Sequence, residues 1–185
     1  MILVATVGAI LLGTGMMASG RRYYKYWVRE DGKGRIIFNN VDAISEADSL
    51  ELAYEEIEEQ TGVKVPQLFY VPKELEYKRV IIKDGMSCID FDYEDGSLYY
   101  QQMSKGKANS VGYNSDREPY KTIYNRFLNQ DIEIYKNILE TGETEISAQY
   151  IIEDTFYYLV GVIDENVMEK LVKNISFTES VRYKK

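Results

Sequence analysis

The residues with the clearest chemical potential are three alternating acids, Asp90, Asp92 and Glu94. Alternate side chains of a strand share one face, and two facing carboxylates are what glycoside hydrolases place across a cleft. The same alternation is common on solvated strands, which favours a structural role. The run also resembles a calcium loop, but Gly96 stands at the seventh position instead of the sixth, and Gln101 replaces the final glutamate. We therefore expect no metal site here.

The rest of the composition removes most common catalytic arrangements. The chain has no histidine, which excludes Ser-His-Asp and Cys-His catalysis and histidine-ligated zinc. Its single cysteine, Cys88, excludes an intramolecular disulfide and a multi-cysteine metal site. Because Cys88 lies inside an apolar strand pattern, we interpret it as a buried structural thiol. We expect a non-enzymatic protein with no catalytic residue, cofactor or metal, and the sequence assigns no ligand-binding residue.

Tyrosine is unusually abundant, at 17 of 185 residues. Tyrosine has high strand propensity and tolerates half-exposed positions, so a large antiparallel sheet is the first explanation. A stacking surface for glycans or peptides is the second, because tyrosine is enriched at binding surfaces. The net charge of −8 argues against a nucleic-acid partner, since phosphate binding requires concentrated lysine and arginine.

Seven strands are predicted by runs of β-forming residues between turn signals. They cover residues 75–83, 86–93, 98–103, 120–127, 132–138, 145–154 and 155–163. The turns are Asp84-Gly85, Asp95-Gly96 and Thr141-Gly142, and residues 128–131 connect the fourth strand to the fifth. The last strand is apolar at consecutive positions, which predicts that both of its faces are covered.

Two amphipathic helices are predicted to cover this sheet. The first runs from about residue 50 to 60, with Asp48 or Ser49 as N-cap and Gly62 after its C-terminus. The second follows the N-cap Asp164, and we assign its broad apolar face to the core. The two apolar stripes are Leu50, Ala53, Tyr54 and Ile57, and Val167, Met168, Leu171, Val172 and Ile175.

Two further segments connect these elements. Residues 63–72 hold two of the three prolines and predict an extended crossing that packs Leu68, Phe69 and Val71 onto the domain. Residues 104–118 are polar and form the longest candidate loop, the one place where a lid over a ligand could lie.

The uncharged run near the N-terminus predicts a membrane anchor. Residues 2–18 carry no charge, and this length lies at the lower edge for a membrane-spanning helix. A cleaved signal peptide is the competing interpretation. Arg21 and Arg22 follow the apolar run, so the positive-inside rule would leave that side cytoplasmic. Because the β-rich part looks extracytoplasmic, we expect the native chain to extend further N-terminally with its own positive charges.

These elements predict an α+β fold, in which an antiparallel, meander-rich sheet packs with two amphipathic helices after an N-terminal hydrophobic helix. The expected organisation is an anchor or signal segment (1–20), a juxtamembrane hairpin and connector (21–48), the α+β domain (49–177) and a polar tail (178–185). In the hairpin, aromatic runs at 22–30 and 35–40 flank the turn residues 31–34.

Residues 65–80 (VPQLFYVPKELEYKRV), 89–102 (IDFDYEDGSLYYQQ) and 154–177 (DTFYYLVGVIDENVMEKLVKNISF) resemble a known family. It is the extracytoplasmic domain of unknown function of single-pass, anti-sigma-factor-like membrane proteins of Gram-positive bacteria. With its spacers the resemblance covers residues 49–177. It implies an extracytoplasmic domain on a membrane anchor and no catalytic residues. The cytoplasmic helical region of the anti-sigma-like members has no counterpart in this sequence.

The leading functional hypothesis is therefore a membrane-anchored extracytoplasmic sensing or interaction domain of unknown ligand, with a possible regulatory, anti-sigma-like role. Its expected contacts are the membrane, through residues 2–18, and a protein partner or cell-envelope ligand. The alternative is a carrier or binding domain that uses a Tyr-rich sheet to hold a glycan or amphiphile.

Overall fold

The computed structural model of this chain describes residues 25–26, 37–38, 45, 47–94, 96–104 and 118–177. Near the N-terminus, strand β1 (Lys25–Tyr26) pairs antiparallel with β2 (Ile37–Phe38), inside the two runs predicted to form a hairpin. Helix α1 (Leu50–Thr61) and the short strand β3 (Gln67–Leu68) follow. The predicted anchor at 2–18 and the interior of the candidate loop at 104–118 lie outside the described residues.

The centre of the fold is a seven-stranded antiparallel sheet in the order β4-β5-β6-β10-β9-β8-β7. Its first meander runs from β4 to β6 and its second from β7 to β10, and the two meet where β10 pairs with β6. The predicted antiparallel α+β architecture is thus confirmed. The strands are β4 (Leu75–Lys83), β5 (Met86–Tyr93), β6 (Gly96–Ser104), β7 (Lys121–Asn125), β8 (Gln130–Ile138), β9 (Thr144–Ile152) and β10 (Thr155–Gly161).

After β10 the chain forms helix α2 (Glu165–Lys173) and strand β11 (Ile175–Ser176), which pairs antiparallel with β3. Both helices begin as predicted. The Ser49 side chain accepts a hydrogen bond from the backbone N–H of Leu52, and the Asp164 side chain accepts one from Asn166. Gly62 ends α1 in the left-handed conformation, at φ 71°.

Both helices cover the same face of the sheet and share one core. The residues that face them form rows across the strands, such as Ile89, Tyr100, Leu159, Ala148 and Ile134, which are neighbours across five strands. All five are at most 2% exposed. Burial of these side chains and of the predicted helix stripes supplies the main driving force for folding.

The opposite face carries a second, smaller cluster of buried residues, Ile81, Cys88, Met103, Phe156 and Val160. The prediction that β10 is covered on both faces is therefore confirmed, because its side chains alternate between the two clusters. Cys88 is 1% exposed and is a buried thiol, as predicted.

The structure corrects three local predictions. Phe69 and Val71 were expected to pack on the domain but are 45% and 43% exposed, because β3 pairs with β11 and turns alternate side chains outward. The β7–β8 turn spans residues 126–129, two residues earlier than predicted. Gly96 begins β6 instead of ending its turn, because it pairs with Tyr93 of β5. A Cβ there would lie 2.6 Å from the carbonyl oxygen of Val162.

One boundary also differs at the C-terminal side. Ile175 was assigned to the second helix, but that helix ends at Lys173 and Ile175 lies in β11. Its burial is nevertheless complete, so its assignment to the core holds. Among the described residues, neither helix has the length and apolar character needed to cross a membrane.

Candidate functional site

The three alternating acids do not form a carboxylate pair. Asp90 is buried, and its Oδ2 accepts a hydrogen bond from Arg79 Nε at 2.7 Å. Asp92 is on the same face, as expected, but is exposed and accepts hydrogen bonds from Lys78 Nζ at 2.8 and 2.9 Å. Glu94 lies in the β5–β6 turn at φ 45°. Within the described ranges, no group of three or more acids or cysteines could hold a metal ion.

A groove of about 960 Å³ lies at one end of the sheet. The last two turns of α1 form one wall, through Glu55 and Glu58. The segment from Gly62 to Leu68 forms the second wall, and it lines the groove through Gly62–Val65 and Gln67. The β9–β10 turn and Phe177 complete the lining.

Two sharp changes of chain direction bring these walls together. Gly62 turns the chain out of α1, and its N–H donates to the carbonyl of Glu58. At the opposite wall, the two-residue turn Glu153-Asp154 joins β9 to β10, with Glu153 at φ 53°. A left-handed conformation is unfavourable for glutamate by roughly 1 kcal/mol, so this turn is strained. The turn places two acidic side chains, those of Glu153 and Asp154, at the groove.

Three tyrosine hydroxyls fasten the wall that follows Gly62. Tyr157 donates a hydrogen bond to the carbonyl of Lys64 at 3.0 Å, and Tyr100 donates one to the carbonyl of Pro66 at 2.8 Å. The N–H of Leu68 donates to the hydroxyl of Tyr54 at 3.1 Å. Backbone groups of alternate residues point to the same side of an extended chain, so the three bonds hold one edge of this segment against the sheet and α1.

A fourth tyrosine extends this arrangement into the core. The hydroxyls of Tyr150 and Tyr100 are 2.6 Å apart. Because the hydrogen of Tyr100 goes to the Pro66 carbonyl, which can only accept, Tyr150 must be the donor in this pair. The ring of Tyr150 stacks on Tyr157 with centroids 5.1 Å apart and an interplanar angle of 14°. We call Tyr54, Tyr100, Tyr150 and Tyr157 the tyrosine network.

Burial keeps the tyrosine network protonated. It raises the pKa of Tyr54, Tyr100 and Tyr150 above the ordinary value for tyrosine, because a phenolate would lose its hydration there. Burial also raises the pKa of Tyr157 to about 12, and the negative charge of Glu153 adds to this shift. These hydroxyls act as hydrogen-bonding groups of the fold, and the four residues are at most 7% exposed, so they offer little surface on which a ligand could stack.

The groove is lined by more acidic than basic side chains. Glu55, Glu58, Glu153 and Asp154 line it, against the single cation Lys64. In the described part of the chain these four carboxylates have no ion-pair or side-chain hydrogen-bond partner. By contrast, Glu165 and Glu169 on α2 are paired with lysines of the sheet. The groove carboxylates therefore keep their charge available for a ligand.

The sequence predicts the two elements that carry the acidic groove residues, but not their proximity. Glu55 and Glu58 lie outside the apolar stripe of the first predicted helix, and Glu153-Asp154 lies at the boundary between the last two predicted strands. The proximity of the end of α1 to the Glu153-Asp154 turn could not be predicted from the sequence, since the two segments are almost a hundred residues apart. The one available signal was the absence of a basic residue in the last turn of α1.

Comparison with known proteins gives no match to a family model, to a curated protein or to a solved structure.

Proposed function

We propose that this chain is a non-enzymatic extracytoplasmic domain, anchored to the cell membrane, that senses or binds a ligand. The anchor is the uncharged segment at residues 2–18. The resemblance of residues 49–177 to the extracytoplasmic domains of anti-sigma-factor-like membrane proteins favours a regulatory role.

The observation that carries the binding role is the groove between α1 and the β9–β10 turn. Its 960 Å³ is within the range of sites that hold a ligand. Its wall from Gly62 to Leu68 is fixed by tyrosine hydroxyls before any ligand arrives. A preformed site loses little conformational entropy on binding, which favours affinity.

A binding role also agrees with the surroundings of the reactive side chains. The Cys88 thiol is inside the sheet, 3.6 Å from the Asp90 carboxylate, an arrangement that disfavours the thiolate needed for nucleophilic attack. Asp90 and Asp92 each have a cationic partner from β4, so neither is held as a general acid or base. These contacts support a protein that recognises a molecule without transforming it.

The topology of the chain tests the anchored, extracytoplasmic part of the proposal. A reporter that is active only outside the cytoplasm would be fused after Lys185, and a second reporter that is active only inside would be fused at the same point. We expect activity from the first fusion alone, and recovery of the protein with the membrane fraction. Activity of the second fusion alone would refute an extracytoplasmic domain, and recovery in the soluble fraction would refute the anchor.

A further inference from the structure

We infer that the groove between α1 and the β9–β10 turn binds an extended basic segment of a partner protein, in which lysine or arginine alternates with apolar residues. The inference rests on the proposed binding function and names the ligand class of the same groove. It needs no contribution from the membrane segment.

The first argument is the charge of the lining. Glu55 and Glu58 face the groove from one side, and Glu153 and Asp154 face it from the other. All four side chains are exposed to solvent. When arginine or lysine alternates with apolar residues in an extended peptide, the cationic side chains share one side of the chain. Directed into the groove, they lie between the carboxylates of the two walls, which complement their charge.

The second argument is the position of two of these acids on their helix. The C-terminus of a helix carries a partial negative charge, and acidic side chains there are unfavourable. The last turn of α1 has no basic residue and contains Glu58, and Glu55 lies in the turn before it. A cation bound between this helix end and the β9–β10 turn would offset both the Glu58 carboxylate and the negative end of the helix dipole.

The third argument is the size and the mixed character of the groove. Its volume of about 960 Å³ far exceeds the space of a single ion. Apolar side chains, Val63, Val65, Ile152 and Phe177, line it together with the acids. Lysine and arginine combine a cationic end with an aliphatic stem, so a basic peptide satisfies both kinds of surface.

Fluorescence anisotropy tests this inference with a fluorescein-labelled octapeptide of alternating arginine and valine. The groove variant is E55Q/E58Q/E153Q/D154N, which keeps the side-chain size and removes the four charges. We expect the wild-type chain to bind the peptide and the groove variant to bind it at least about tenfold more weakly. The same peptide with glutamine in place of arginine should not bind.

The matched control is E51Q/E59Q/E74Q/E76Q, which removes four exposed charges that do not line the groove. It has the same net charge as the groove variant, and we expect its affinity to stay within about twofold of the wild type. Equal weakening by both variants, or no binding by the wild type, would overturn the inference. Because neutral residues at the end of α1 relieve the helix dipole, the groove variant should remain folded, which circular dichroism checks.

One more variant separates a partner peptide from this chain's own basic tail. R182Q/K184Q/K185Q removes the cations that follow Phe177 in the sequence. Unchanged affinity for the arginine peptide supports a partner segment. If this variant binds the peptide much more tightly than the wild type does, the basic tail is the occupant of the groove, and the inference of a partner segment is overturned. Failure to bind the peptide leaves the reporter result intact, so the two proposals fail separately.

Discussion

At the residue scale, the hydroxyl of Tyr100 connects three parts of the chain. It donates to the Pro66 carbonyl, it accepts from Tyr150, and its ring lies in the core between β5 and β10. Tyr150 is different, because its hydroxyl donates only to Tyr100. The two tyrosines are equally buried in the same cluster, so the difference between them is one of hydrogen bonding.

We expect Tyr100→Phe to lower the free energy of unfolding by about 2–3 kcal/mol, because it leaves the Pro66 carbonyl and the Tyr150 hydroxyl buried without partners. Tyr150→Phe should cost about 1 kcal/mol, since the Tyr100 hydroxyl keeps its bond to Pro66. Urea unfolding measures both values.

Tyr124→Phe is the control for this pair, because Tyr124 is 57% exposed and its hydroxyl bonds only to the side chain of Asn129. Its effect should stay below about 0.5 kcal/mol. A Tyr150→Phe effect that equals or exceeds that of Tyr100→Phe would contradict the assignment of Tyr150 as donor.

At the element scale, Asn125 joins the β7–β8 hairpin to the end of α2. Its Nδ2 donates to the carbonyl of Val172 at 2.6 Å and to that of Ile175 at 2.9 Å. Its Oδ1 accepts from the N–H groups of Phe127 and Leu128. Carbonyls of the last helical turn have no partner within the helix, so this fully buried amide caps α2 from a neighbouring strand.

Asn125→Ala should lower the free energy of unfolding by about 3 kcal/mol, because two carbonyls and two N–H groups lose their partner. Asn125→Asp should be at least as harmful at neutral pH, since a carboxylate oxygen would face two carbonyl oxygens. Its stability should recover as the pH falls, because the protonated carboxyl donates again. Thermal unfolding across a pH series measures this.

Asn174→Ala is the matched control, because Asn174 also donates to a helix carbonyl, that of Lys170, but from an exposed position. Its loss should be under about 1 kcal/mol. An Asn125→Asp variant that is least stable at low pH would contradict the proposed orientation of the amide.

The elements themselves were largely predictable from the sequence. Asp84-Gly85 and Thr141-Gly142 specify turns, and their glycines adopt positive φ values of 70° and 85°. Gly62 ended the first helix for the same reason. The pairing of β3 with β11 could not be predicted, since both strands have two residues and they are distant in sequence. That pairing is what exposes Phe69 and Val71.

At the scale of the whole molecule, the tyrosine network makes stability depend on alkaline pH. Burial raises the pKa of Tyr77 and Tyr157 to about 12, and raises those of Tyr54, Tyr100 and Tyr150 as well. When the pKa of a tyrosine is higher in the folded state than in the unfolded state, its contribution to the free energy of unfolding is complete at pH values below its pKa in the unfolded chain. Above about pH 10 the unfolded chain loses protons that the folded chain retains, so stability falls.

We therefore expect unfolding on alkaline titration, with tyrosinate absorbance rising in step with the loss of circular dichroism. The ionisation of the buried tyrosines should be cooperative, because the fold must open before water reaches their hydroxyls. A gradual rise in absorbance of all tyrosines with unchanged circular dichroism would contradict this coupling.

The arrangement of the groove walls could not be predicted from the sequence, because it depends on the strand order. Strand patterns specify which side chains face the core, but not the order of strands in the sheet. Placing β10 beside β6 brings Tyr157 next to Tyr100 and sets the Glu153-Asp154 turn near the end of α1. The individual elements are encoded locally, and their arrangement depends on how two meanders join.

The hydroxyls of Tyr54, Tyr100 and Tyr157 bind backbone atoms of the wall, and none of these three bonds involves a wall side chain. Residues Val63, Lys64 and Gln67 can therefore be exchanged while the same fastening remains. The domain thus separates the groups that hold the wall in place from those that an incoming molecule would touch. A library randomised at these three positions would change the recognition surface on a constant framework.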